Sequence, residues 1–131
     1  MPDNEKLKSI AQKVINKVEQ KNPEKFGSVI AILMVISIIL TVIRVLQECH
    51  KTKLSTFTGK NKNEFLAQEI KKTTLQKSWF TKMMLKKTIR RELGRENYKI
   101  YGIDLMNAIL DTGEELKDDE LITLAEAANN V

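Results

Sequence analysis

From Phe26 to Ile43 the chain runs for 18 residues without a charge, and 14 of them are apolar, the exceptions being Gly27, Ser28, Ser37 and Thr41. A helix rises about 1.5 Å per residue, so this run spans roughly 27 Å, close to the roughly 30 Å of hydrocarbon in a bilayer. Val45 and Leu46 lengthen it further if Arg44 snorkels to the headgroups. Nine residues between Val29 and Ile43 are Val or Ile. Two buried strands would suit that composition, but no Gly, Pro or Asn interrupts the run to supply a turn. A cleavable signal peptide is also a poor fit, because a polar stretch of some 25 residues precedes the run and no small-residue cleavage pattern closes it.

A helix that is apolar on every face needs neighbours on every face. The other segments of this 131-residue chain are rich in lysine and are expected to cover it poorly. Phe26, Ile30, Leu33, Ile36, Leu40 and Ile43 are therefore expected to be buried by lipid or, alternatively, by other chains of an assembly. The core of a single chain is the remaining option.

Gly and Pro together number seven, which predicts an all-α fold with short connections. Cys49 is the sole cysteine and cannot form an internal disulfide. The periodicity divides the chain into an amphipathic N-terminal helix (1–22), a hydrophobic, membrane-spanning helix (23–51), a polar linker (52–63) and a small domain of three or four helices (64–131). In the first helix Leu7, Ile10, Ala11, Val14 and Val18 fall at helical spacing among Lys6, Lys13, Lys17 and Lys21. Asn22-Pro23 marks a break, with Pro23 suited to the first turn of the next helix.

The net charge of +5 is distributed unevenly. Residues 1–50 carry seven Lys/Arg against five Asp/Glu, residues 51–99 fourteen against four, and residues 100–131 one against eight. The middle of the chain is expected to seek anionic surfaces, and the acidic end is expected to fold onto basic helices of the same chain. Basic residues flank the hydrophobic run on both sides, so the positive-inside rule barely distinguishes them. The larger downstream block leans toward a cytoplasmic C-terminal portion.

Ser78 is placed to cap a helix with the sequence WFTKMMLKKTIRREL, which Gly94 would end. At 100° per residue, Leu85, Ile89 and Leu93 form one narrow apolar stripe. Lys86, Lys87, Arg90, Arg91 and Arg95 cover the opposite half, into which Trp79, Phe80 and Met83 intrude. Such a face suits an anionic membrane, an acidic protein groove or, through residues 71–99, nucleic acid. These eight residues form the candidate docking site. The alternative is a solvated lysine face whose Trp and Met pack on neighbouring helices. A further helix is expected from about Glu96 to Leu110, and a last one from near Asp118 with Asp119 and Glu120 in its first turn.

No catalytic, cofactor-binding or metal-binding residues are expected, and no small-molecule substrate. Glu48, Cys49 and His50 are adjacent and would point in different directions on a helix, with no second Cys/His group to complete a metal site. Asp111-Thr112-Gly113 resembles the aspartic-protease triplet, but it falls where a helix is expected to end at Gly113 rather than in a β-rich loop. No phosphate-binding loop, zinc-protease or nucleophile-elbow string occurs. The sequence therefore points to a non-enzymatic single-pass membrane protein, an anchor, scaffold or accessory subunit with other protein subunits as partners. The alternative is a soluble structural subunit, such as a virion component, with the hydrophobic helix buried between chains.

Overall fold

A computed structural model describes the backbone of residues 3–22 and 29–129 and the side chains of residues 3–22 and 31–129. Phe26 and Pro23 lie outside the described residues, and Ile30 is described in its backbone alone. Among the described residues the fold is all-helical: α1 (Asn4–Lys21), α2 (Val29–Cys49), α3 (Lys51–Leu54), α4 (Gly59–Gln76), α5 (Trp79–Leu93), α6 (Arg95–Glu115) and α7 (Asp118–Asn129).

Local chemistry sets most of the boundaries. The Asp3 carboxylate accepts the N–H groups of Glu5 and Lys6 at 3.0 and 3.2 Å and so starts α1. α4 ends at Lys77, which adopts the left-handed conformation (φ 47°, ψ 45°). Ser78 then takes the Thr81 N–H at 3.2 Å to begin α5. Gly94 joins α5 to α6 at φ 84°, where a side chain would be strained.

Three elements differ from the sequence expectation. Two thirds of the expected 52–63 linker is helical, because α4 begins at Gly59 and α3 occupies Lys51–Leu54. Apolar side chains tie this region down: Leu54 is buried, and Phe57 stacks on Phe65 at 5.0 Å between ring centroids. α6 runs to Glu115 rather than to Leu110. Consequently Asp111-Thr112-Gly113 lies inside a helix, and Gly113 is not its C-cap. Glycine is needed there for a different reason, since a Cβ at Gly113 would collide with the Thr74 side chain where α6 crosses α4.

The apolar residues form two clusters, and α1 and α2 contribute to both. One joins Leu7 and Ile10 of α1, Leu40 and Ile43 of α2, Leu66 and Ile70 of α4, and Leu121 and Leu124 of α7. The other joins Val14 and Val18 of α1, Ala31, Val35 and Ile38 of α2, Leu85 and Ile89 of α5, and Leu105 and Ile109 of α6. The start of α1 thus meets the end of α2, and the end of α1 meets the start of α2, an antiparallel pair running through the whole bundle. The hydrophobic helix does not stand apart from the helices of residues 64–131 but packs among them.

That packing is partial. α2 is long and apolar enough to cross a membrane, and 22 % of its apolar window is buried within the chain. Leu40 and Ile43, expected to meet lipid or another chain, lie in the chain's own core, whereas Ile36 is half-buried and Leu33 is 58 % exposed. Leu33 shares a face with Ser37, Thr41, Arg44 and Glu48, at spacings of three and four residues. The few polar groups of α2 are thereby gathered on its least covered side. Thr41 satisfies its hydroxyl on the Ser37 carbonyl at 2.7 Å, while the Arg44 Nε is buried without a partner.

The α4–α6 crossing makes a sharp prediction. In an open helix Gly113→Ala would stabilise by about 1 kcal/mol. Here the collision with Thr74 reverses the sign, and the variant loses about 1–3 kcal/mol in chemical denaturation. Adding Thr74→Ser, which deletes the colliding methyl, recovers most of that loss.

Candidate docking face on helix α5

α5 is anchored through one side. Thr81, Leu85, Thr88 and Ile89 are buried, and Leu93 packs against the second cluster. Thr88 closes its hydroxyl onto the Met84 carbonyl at 2.9 Å, so its burial leaves no polar group open. This is the apolar stripe expected from the sequence, widened by two threonines whose methyls serve as apolar surface.

Seven of the eight candidate docking residues lie on the exposed remainder, and Arg95 follows at the start of α6. Trp79 is 75 % exposed, Phe80 48 % and Met83 39 %, and Lys86, Lys87, Arg90, Arg91 and Arg95 are exposed. At 100° per residue Trp79, Met83, Lys86, Lys87 and Arg90 lie within about 100° of helix surface, with Phe80 and Arg91 on its flank. Trp79 is therefore not packed on a neighbouring helix. Arg90 lies over the Tyr98 ring at 5.5 Å, a contact that fixes its stem and leaves the guanidinium charged.

The electrostatic isolation of this face follows from where the acidic groups go. Lys6 pairs with Asp119 at 3.1 Å, Lys13 with Glu120 at 2.9 Å and Lys17 with Glu115 at 2.7 Å. Lys77 pairs with Glu114 at 2.8 Å and approaches Asp111 at 3.7 Å. The acidic end does fold back onto basic helices of its own chain, but onto α1 and the end of α4. Residues 79–99 carry seven Lys/Arg against two Glu. Among the described residues none of those seven makes an ion pair within 4.0 Å.

The remaining candidates do not assemble into chemistry. His50 Nε2 lies 3.3 Å from Glu69 Oε2, Cys49 is exposed, and among the described residues no three potential ligands converge on a metal position. Comparison with known proteins gives no match: no family model, no curated protein and no solved structure matches this chain.

The pairing of α1 with α7 has a pH signature. A hydrogen bond from Lys6 holds the Asp119 carboxyl below its ordinary 3.8. At Glu120 burial opposes ionisation, but the Lys117 N–H and the Lys13 ammonium outweigh it and lower the pKa below 4.5. Hydrogen bonds to Asp119 and Glu114 raise Lys6 and Lys77 above 10.5. Lowered acids stabilise the fold above their unfolded pKa and lose that contribution as the pH falls. Raised lysines stabilise it below 10.5 and lose it as the pH rises. Stability should therefore plateau between about pH 5 and 10. Melting curves should show Tm falling from pH 6 to pH 3, and Glu120→Gln should make that fall shallower.

Proposed function

We propose that this protein is a non-enzymatic helical subunit of a larger complex that docks it, as anchor or scaffold, on an anionic membrane surface through α5. The observation that carries this reading is the uncompensated face of α5, with Trp79, Phe80 and Met83 exposed among Lys86, Lys87, Arg90 and Arg91 while Glu114, Glu115, Asp119 and Glu120 are engaged elsewhere. Cations reach lipid phosphates, and the aromatic and methionine side chains reach the apolar layer beneath them. A nucleic-acid or acidic protein partner would satisfy the cations, but neither is needed to explain three apolar side chains on the same face.

The setting of α2 admits two forms of this proposal. In the first, α2 is an interior helix of the bundle and another subunit completes the cover of its Leu33 side; the shared clusters with α1, α4, α5, α6 and α7 favour this form. In the second, α2 crosses the bilayer as a single-pass anchor; its length, its composition and the small buried share of its apolar window favour that form. Extraction separates them. Release from a membrane fraction by alkaline carbonate without detergent is the outcome for the interior helix, and retention is the outcome for the spanning one.

Docking is tested by replacing Lys86, Lys87, Arg90 and Arg91 with glutamine. At about 1 kcal/mol per cation near an anionic surface, co-sedimentation with phosphatidylserine vesicles at low salt should weaken by roughly a hundred- to a thousandfold. Unchanged vesicle binding would sink the proposal. A variant that keeps vesicle binding and loses binding to duplex DNA would instead assign α5 to the nucleic-acid face of a particle subunit.

A further inference from the structure

A cavity of about 270 Å³ lies among α1, α2, α4, α5, α6 and α7, and its walls are largely apolar: Val14, Ile39 and Val42, Ile70, Leu85 and Leu110. It is nearly twice the size of a 150 Å³ apolar void that takes up benzene. Close-packed interiors keep few voids larger than a water molecule, so a space of this size in so small a bundle is not ordinary packing slack. Its rim is polar and reaches the surface at Cys49 and Ser78, beside the exposed Phe80.

Thr112 supplies a second, independent observation. It lines the same cavity, is 2 % exposed, and its Oγ1 has no hydrogen-bond partner. Helical threonines ordinarily avoid this by donating to the carbonyl four residues back. Thr41, Thr74, Thr88 and Thr123 all do so here, at 2.7–2.9 Å. Thr112 thus adds an unpartnered hydroxyl to the lining of a largely apolar chamber, to which Thr73, Thr74, Gln76 and Thr81 also contribute, and a buried polar group without a partner is a persistent cost to the fold.

We infer that this cavity is a binding site for a small neutral lipophile carrying one hydroxyl or carbonyl group, whose apolar body fills the chamber and whose polar atom pairs with Thr112. A charged ligand is excluded by the walls, where a bare charge would be heavily penalised. A fully apolar ligand would fill the space but leave the threonine unsatisfied. The site meets the docking face at Phe80 alone, and Lys86, Lys87, Arg90 and Arg91 do not line it.

The probes are 4-propylphenol and propylbenzene, which differ by a single hydroxyl, titrated into the full chain by calorimetry. Both should bind saturably, with one site per chain. Thr112→Val keeps the side-chain shape and removes the hydroxyl, so it should weaken 4-propylphenol relative to propylbenzene by roughly five- to tenfold. Val42→Phe, which fills the chamber, should abolish binding of both while leaving vesicle binding intact. Absence of saturable binding up to the probes' solubility overturns the inference. An affinity ratio unchanged in Thr112→Val overturns it even if Val42→Phe does not fold.

Discussion

The fold depends on covering one helix. α2 is apolar on nearly all sides, and five other helices of two or more turns, several studded with lysine, supply its neighbours. The structure meets this constraint by pairing α2 lengthwise with α1 and splitting its buried residues between two clusters, one shared with α4 and α7 and the other with α5 and α6. The cover remains thin. What relieves it is the sequence of α2 itself, whose Ser37 and Glu48 share the exposed side with Leu33.

A second division of labour concerns charge. α1 brings lysines to α7 and to the end of α6, and the raised and lowered pKa values of Lys6 and Asp119 mark that contact as mutual. The pairs are largely solvated, so their value lies less in energy than in register. They fix which face of α7 meets α1 and leave the alanine-rich opposite face, with Ala125 and Ala128, to the core. Because α1 holds these acids, the basic face of α5 remains open without any opening motion.

Much of the architecture was legible from residue spacing. The apolar positions of α1, the Ser78 cap, the stop at Gly94, the Leu85–Ile89 stripe and the start of α7 all follow from local rules acting over a few residues. What escaped depends on partners distant in sequence. Gly113 reads as a helix stop until Thr74 is seen against it, and the TFTGKNKN stretch reads as a loop until Phe57 is seen stacked on Phe65. The composition showed that the acidic end would seek cations, but it could not choose α1 over α5. The exposed residues of the basic face were visible on a helical wheel, whereas the cavity and its orphaned Thr112 arise from the fit of six helices and have no linear signature.

The lengthwise pairing of α2 also has a consequence in time. Its covering helices α4, α5 and α7 all follow it in the sequence, the last ending at Asn129, about 80 residues beyond Cys49. At synthesis rates of about 5–20 residues per second, α2 is completed roughly 4–16 s before its last neighbour is. Until α4 and the later helices follow, the most apolar segment of the nascent chain has only α1 for company. The contest between an interior and a bilayer location for this helix is therefore a race, open to whichever acceptor reaches it before the bundle closes.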